Sequence, residues 1–227
     1  MSKITMLTSD RLISKDFYPY VLKDNSPKWF REMSREDSYD GARTYKACPA
    51  LIESFKRIIV IPAWSDFQIT IEDDIWRVLS AMPTDNPKTG LLNDEPVTGH
   101  KDWQHVGYRE DKHILKFMSP WQMEIEGPSM VWFTHPHFHD ERRFEAVTGI
   151  TDMSIQSSTH INTYWPKSRS TYKVKAGQPL TYIVPLMEDF DFNIEVIDRN
   201  ELLSRSKHIE YSLTKSEEYW KKKASNE

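Results

Sequence analysis

Apolar and polar residues alternate along short segments of the chain, most regularly in its second half. Trp121, Met123 and Ile125 are separated by polar residues, and the same period-two pattern returns between residues 190 and 196. Successive side chains of a β-strand point to opposite faces, so this alternation predicts strands with one buried face. Because turn residues recur at short intervals between these segments, we predict that residues 113–197 form a β-rich domain.

The first half of the chain adds further strands and two short helices. Residues 58–64 are an apolar run typical of a buried strand, and apolar residues alternate with polar ones over residues 67–71. Pro27 follows Ser26, and Pro49 follows Cys48. Proline suits the first position of a helix, where its missing N–H has no intrahelical partner, so each pair predicts a helix start.

These patterns predict a mainly β, α+β fold. Met130–Phe133 is apolar at every position, which is typical of a central strand. Short strands with frequent turns favour a single β-sandwich, a jelly roll or barrel, or a β-clip-like domain. We assign residues 1–197 to this domain, with short N-terminal helices. Capping-box spacings at Asp198 and Thr214 predict a C-terminal helical extension over residues 198–227.

Composition and charge exclude several classes of protein. Thirty basic and thirty-four acidic residues give a net charge of −4, so general nucleic-acid binding is not expected. Cys48 is the single cysteine, which excludes an intrachain disulfide and a Cys-rich zinc site. The longest apolar stretch, Ile58–Ile61, is too short to span a membrane. We find no signal-peptide pattern over residues 1–10, and we expect a soluble protein.

A long polar segment interrupts the predicted strands at residues 83–112. Loops of this length in compact domains are usually functional or mobile. The segment carries Trp103 and Tyr108, along with His100 and His105. The two aromatic residues either contact a protein partner or attach the loop to its own domain. Assembly into a homo-oligomer also stays open.

The sharpest candidate for chemistry is a histidine cluster. Its members are His135, His137 and His139, and Asp140 and Glu141 follow directly. If this segment is extended, the three histidines point to one face of the strand. Two imidazoles and one carboxylate leave open coordination positions on Fe(II) or Zn(II). We therefore predict His135, His137, His139 and Glu141 as candidate ligands of a divalent metal.

The spacing of His135, His137 and Glu141 is similar to the first metal motif of cupins. A cupin places a further histidine on a later strand, and here the turn at Gly177 is followed by no histidine before His208. Pro136 also argues against a regular central strand at this point. The alternative is a polar loop between strands, with its charged residues in contact with water.

Several segments together resemble an uncharacterised protein family encoded by large tailed phages of marine bacteria and by environmental microbes. Their order along residues 26–187 carries the resemblance. The segments are Ser26–Phe30, Ala47–Leu51, Ala63–Asp66, Ser119–Trp121, Phe133–Pro136, Gly149–Asp152, Ala176–Leu180 and Ile183–Pro185. The resemblance implies that the His135-Pro136 pair is shared within the family while His137 and His139 are not. It also implies a location in the host cytoplasm or in the virion.

A second similarity concerns the β-clip layout of dUTPases and dCTP deaminases. Gly149–Asp152 and Gly177–Leu180 stand in the order of two segments that those enzymes pair. The chain lacks their Arg-Ser-Ser segment, the tyrosine after the aspartate and the glycine-rich C-terminal arm. The similarity therefore implies a strand layout and no nucleotide hydrolysis.

Three functional hypotheses follow. The first is a non-enzymatic, phage-type binding or virion-associated structural module, because the chain has no Gly-x-Ser-x-Gly nucleophile elbow and no glycine-rich phosphate loop. The second is a cupin-like metal-dependent oxygenase or hydrolase that uses His135, His137 and Glu141. The third is a nucleotide-binding β-clip protein without dUTPase activity. Whether the protein is an enzyme stays open.

Overall fold

A computed structural model describes residues 2–73, 75–81, 96–99 and 111–207. This part of the chain is built mainly from β-strands. The strands are β1 (Ser2–Thr8), β2 (Tyr20–Val21), β3 (Ile59–Pro62), β4 (Phe67–Glu72), β5 (Ile75–Ser80), β6 (Val97–Gly99), β7 (Lys112–Phe117), β8 (Gln122–Glu126), β9 (Met130–Thr134), β10 (Glu145–Ala146), β11 (Gly149–Asp152), β12 (Ile161–Pro166), β13 (Ser170–Val174), β14 (Pro179–Pro185) and β15 (Phe190–Val196). The α-helices are α1 (Lys28–Glu32), α2 (Pro49–Arg57) and α3 (Arg199–Arg205).

The strands form four sheets. Their strand orders are β15-β1-β8, β10-β12-β7-β6, β11-β9-β14-β3-β2 and β13-β4-β5. In the first sheet β1 runs parallel to β15 and antiparallel to β8, and the pairs in the other three sheets are antiparallel. The mainly β prediction is therefore confirmed.

One large hydrophobic core is shared by all four sheets. Ile4 and Met6 enter it from β1, Ile69 from β4, Leu115 from β7 and Ile183 from β14, and each is fully buried. The alternation predicted for residues 67–71 is confirmed, since Phe67, Ile69 and Ile71 are buried between less buried neighbours. Burying a large apolar side chain contributes about 1.5–3 kcal/mol, so this core dominates the stability of the fold.

A smaller core lies on the opposite, outer face of the five-stranded sheet. Phe55 of α2 packs with Val60 of β3 and Tyr182 of β14, and all three are buried. Phe30 of α1 lies against Phe55, with ring centroids 4.7 Å apart. The two short helices therefore cover the β14-β3-β2 half of the outer face. Pro49 opens α2 as predicted, whereas Pro27 is the residue before α1 rather than its first residue.

The third helix lies on the β15-β1-β8 sheet. Asp198 caps α3 by accepting hydrogen bonds from the backbone N–H groups of Asn200 and Glu201, which confirms the predicted cap. Leu202 is buried, and the Arg205 guanidinium donates to Glu124 of β8 and Glu195 of β15. Arg205 thus bridges the two strands that flank β1.

Several predictions lie outside the described residues. They are Trp103, Tyr108 and most of the loop 83–112, together with His100, His105 and the second capping box at Thr214. Among the residues that are described, no helix is both long enough and apolar enough to cross a membrane.

Candidate functional site

The histidine cluster lies in a tight turn at the end of β9. We call residues 135–139 the histidine turn. Pro136 has φ −77° and ψ 62°, residues His137–His139 form one turn of 3-10 helix, and Asp140 ends it in the left-handed region with φ 52°. The extended conformation considered from the sequence is therefore wrong. Proline fixes φ and removes a ladder donor, so β9 cannot continue through it.

His135 uses both ring nitrogens to hold the turn. Its Nδ1 accepts a hydrogen bond from the backbone N–H of Ala146 at 3.1 Å. Since Nδ1 is an acceptor, the neutral ring carries its proton on Nε2, which lies 2.9 Å from the carbonyl oxygen of Glu141. A metal ion could bind this ring only if one of these hydrogen bonds were broken.

The other two histidines have different surroundings. His137 is exposed, and its ring lies 5.0 Å from that of His135. Partial burial and the neighbouring His135 lower the pKa of His137, and Glu145 partly offsets this. The Nδ1 of His139 hydrogen-bonds the hydroxyl of Tyr182 at 2.5 Å. The rings of His135 and His137 therefore lie side by side, whereas His139 contacts Tyr182.

Phe138, between these histidines, anchors the turn on the smaller core. Its ring lies 5.0 Å from that of Phe55 and stacks on that of Tyr182. Its carbonyl oxygen accepts a hydrogen bond from the indole N–H of Trp29 at 2.7 Å. The turn therefore acts as a third cover over the outer face, beside α1 and α2.

Glu141 is engaged by Arg143 through both carboxylate oxygens. Oε1 accepts from the backbone N–H and from Nε of Arg143, each at 2.8 Å, and Oε2 pairs with Nη2. Burial raises the pKa of Glu141, but the hydrogen bonds and charge of Arg143 outweigh it and leave the pKa below its usual value. Arg143 also donates to the backbone oxygen of Lys173 and to the side chain of Gln178. The Glu141–Arg143 pair therefore connects the segment after the turn to β13 and to Gln178, the residue before β14.

Three of the four predicted ligands, His135, His139 and Glu141, thus hold the turn in place through different partners, whereas His137 is exposed. Within the described ranges, no group of three or more His, Cys, Asp or Glu side chains is arranged to hold one metal ion. A metal site at His135, His137, His139 and Glu141 stays a prediction that this geometry does not favour.

A different feature of the same sheet is exposed. The described residues leave the outer face of the five-stranded sheet partly exposed at β9 and β11, beyond the histidine turn. Apolar side chains project there, and we call these four residues the open face: Met130 (37% exposed), Trp132 (41%), Ile150 (61%) and Leu186 (47%). Trp132 pairs across the ladders with both Ile150 and Val184, so these three lie in one row. The prediction that Met130–Phe133 lies inside a sheet is confirmed, but one of its faces is not buried.

The strand layout bears on the β-clip similarity. Gly149–Asp152 is β11, and Gly177–Leu180 is the turn that leads into β14. These strands do not pair with each other, because β9 lies between them.

Two open surface clefts, of about 290 and 370 Å³, are lined by other residues and include none of the four predicted metal ligands.

Compared with known proteins, the chain matches no family model, no curated protein and no solved structure.

Sequence analysis missed the residues that contact the histidine turn from positions far away in the sequence. Tyr182 and Gln178 lie about 40 residues after the turn, and Trp29 lies about 110 residues before it. One signal was available in the sequence. Phe138 is an apolar residue within a polar segment, and such a residue commonly anchors a turn on a core.

Proposed function

We propose that the protein is a non-enzymatic binding or structural module of phage type that acts in the host cytoplasm or in the virion. We further propose that it contacts a partner protein through the open face. The observation that supports this is the exposure of Trp132 and Ile150 side by side on two neighbouring strands, β9 and the edge strand β11. Contiguous exposed apolar patches are uncommon on monomeric proteins and often mark contact sites.

The covered half of the same sheet face shows what the open half lacks. Val60 and Tyr182 project from the same side of the sheet and are buried beneath α1, α2 and the histidine turn. The open face continues the apolar row with no such cover among the described residues. A partner that covers Trp132 would therefore complete a packing arrangement that the chain itself builds over only half of the sheet.

The chemistry of the open face favours an apolar protein surface as its partner. β9, β11 and β14 contain no lysine or arginine, so these strands offer no cation for a phosphate backbone. The one acid among them, Asp152, already accepts hydrogen bonds from Ser129 and from the N–H of Ser154. Partly exposed tryptophans in such settings commonly dominate binding energy.

The open face can be tested by cross-linking followed by reconstitution. A photoreactive amino acid is placed at Leu186, and in a control protein at Tyr39, which is 97% exposed in another part of the chain. Cross-linking is carried out in phage-infected host cells, and a protein that is captured from Leu186 but not from Tyr39 is purified. The complex is then rebuilt from the two purified proteins and its Kd is measured.

We expect Trp132→Lys to weaken the rebuilt complex by tenfold or more, about the loss that follows removal of a central aromatic contact. Lys28→Met changes an exposed residue of α1 whose side chain pairs with Glu32, and it should leave the Kd unchanged. The proposal fails if Trp132→Lys folds and binds normally, if both positions capture the same proteins, or if the purified protein carries stoichiometric iron or zinc.

A further inference from the structure

β11 is an edge strand of the five-stranded sheet, and no described strand pairs with its outer side. Thr148, Gly149 and Ile150 are consecutive exposed residues, and no described atom lies within 4 Å of where a Cβ of Gly149 would stand. Open edges invite pairing with another strand, so proteins usually protect them with charged residues, proline or bulges. β11 has none of these within its length, because its one charged residue, Asp152, is the last.

The other edge strands of comparable length are protected by charge. Among the described edges of four or more residues, each one except β11 carries a charged residue inside the strand. These residues are Arg77 in β5, Glu124 in β8, Lys173 in β13, and Asp191 and Glu195 in β15. The exception suggests that the β11 edge is used rather than protected.

The direction of the free backbone groups on β11 follows from its ladder with β9. The N–H of Met153 donates to the carbonyl of Ser129, so residue 153 faces β9. Backbone groups alternate in direction along an antiparallel strand, so Thr151 also faces β9, and Ile150 faces away from the sheet. The N–H and C=O of Ile150 therefore point outward from the edge.

We propose that two copies of this chain pair through β11, antiparallel about a two-fold axis that passes between the two Ile150 residues. Each Ile150 would exchange both backbone hydrogen bonds with Ile150 of the partner subunit, and the two five-stranded sheets become one of ten strands. A two-fold contact requires a surface that is complementary to itself. β11 meets this requirement, because its acid, Asp152, falls opposite Thr148 and never opposite another acid.

The side chains also support this register. Val184, Trp132 and Ile150 form a row across three strands, and the row stops at the edge. Pairing at Ile150 continues the row into its symmetry mate, so six apolar side chains lie across the centre of the joined sheet. Directly opposed apolar pairs stabilise a sheet, and opposed like charges destabilise it.

The area of this contact sets the strength of the dimer. A stable interface buries about 800 Å² on each partner, and one pair of short strands provides less. We therefore expect a reversible dimer with a Kd between about 1 μM and 1 mM. This inference concerns assembly and goes beyond the proposed function, since Ile150 joins the two copies while Met130, Trp132 and Leu186 of the open face stay accessible on both subunits.

Charge-exchange variants test the juxtaposition of the two Ile150 residues. In the proposed dimer, Ile150→Lys places two ammonium groups opposite each other, and Ile150→Glu places two carboxylates there. Sedimentation velocity should show wild type in monomer–dimer exchange and each variant alone as a monomer, whereas an equimolar mixture of the two variants should form a heterodimer. Ile150→Pro should also give a monomer, because it removes the outward N–H that would bond to the partner subunit. The variant should still fold, since proline is tolerated in an edge strand.

Met130→Lys serves as the matched control, since it places the same charge on the open face and away from the edge. It should dimerise like wild type. A wild type that stays monomeric up to about 1 mM overturns the inference, as does a charged variant that still forms homodimers. A mixture of the Lys and Glu variants that stays monomeric overturns it as well. None of these outcomes depends on whether the open face binds a partner protein.

Discussion

His139 and Tyr182 are joined by a hydrogen bond of 2.5 Å between the imidazole Nδ1 and the phenol oxygen. Tyr182 is almost fully buried in the smaller core, and His139 is half-buried beside it. Burial raises the pKa of Tyr182 above its usual range, so the phenol stays protonated under ordinary conditions. This contact attaches the histidine turn to β14 and makes the turn part of the folded core.

Removing the hydroxyl should destabilise the protein while the ring keeps its packing. In Tyr182→Phe, His139 loses its partner in a partly desolvated position. We expect a loss of about 1–2 kcal/mol in the free energy of unfolding, measured by urea denaturation. Tyr39→Phe changes a tyrosine that is 97% exposed and should leave the urea midpoint in place. Equal midpoints for the two variants would contradict this role for the hydroxyl.

Acidification should weaken the same contact. Burial, and to a lesser degree the charge of Arg31, lowers the pKa of His139 to about 4. An unfolded histidine titrates near 6.5, so between about pH 6.5 and 4 the unfolded state binds a proton that the folded state does not. Stability due to the neutral ring is complete above about pH 6.5, falls as the pH drops through this window, and levels off below it.

The comparison of wild type with His139→Gln isolates this contribution. Glutamine does not titrate, and other groups that ionise in the same range are common to both proteins. We expect wild type to lose on the order of 1–2 kcal/mol more than the variant between pH 7 and 4, which is less than the full pKa shift implies because water screens the half-buried ring. Parallel curves of unfolding free energy against pH would disprove the assignment.

Arg142 and Arg143 are neighbours in the sequence, but their ion pairs differ in burial. The Glu141 side chain is only 8% exposed, so Arg143→Met leaves a nearly buried carboxylate without its cation. We expect a loss of about 2–4 kcal/mol, in the range found when one partner of a buried pair is removed. Arg142→Met breaks an ion pair whose partners are 82% and 74% exposed, and it should cost less than about 1 kcal/mol. Thermal unfolding of both variants provides the measurement, and similar losses would show that burial is not the cause.

Arg205 should control how firmly α3 is attached. Its guanidinium contacts three carboxylates, those of Glu124, Glu195 and Glu201, and these hydrogen bonds raise its pKa. In Arg205→Met we expect amide hydrogens of α3 to exchange at least tenfold faster, because local opening then becomes easier by about 1.4 kcal/mol or more. Exchange from the central strand β1 should be unaffected. A uniform increase over the whole chain would indicate global destabilisation instead.

Local patterns in the sequence were sufficient to predict most strands. The alternation of Phe67, Ile69 and Ile71 is set by the period of the strand, and the Asp198 cap is set by the spacing of residues along one helical turn. Each depends on neighbours within a few positions. The same is true of the helix start at Pro49, whose ring fixes the backbone angle that a first helical turn requires.

The role of the histidine turn could not be derived in this way. Its position depends on contacts such as those of Tyr182 with His139 and of Arg143 with Gln178. These contacts form only because strands far apart in the sequence pack together. Three histidines at alternate positions suggest a shared face only if the backbone is extended, and Pro136 prevents that. For Trp132 the sequence predicts burial, because the residue is apolar and lies inside a sheet. Its exposure depends on which part of the sheet face the helices cover, and local sequence patterns do not show this.

The position of β1 between β15 and β8 also has a consequence for the order of folding. Ile4 pairs with Phe192 on one side and with Ile125 on the other, so its partners lie more than 100 residues later in the sequence. During synthesis, the apolar face of this strand emerges from the ribosome long before either partner exists. Contacts of such large sequence separation form slowly, because a long segment of chain must first be closed into a loop. Until then, Ile4 and Met6 lie in an exposed apolar segment, and transiently exposed apolar surface of this kind favours aggregation of an incompletely folded chain.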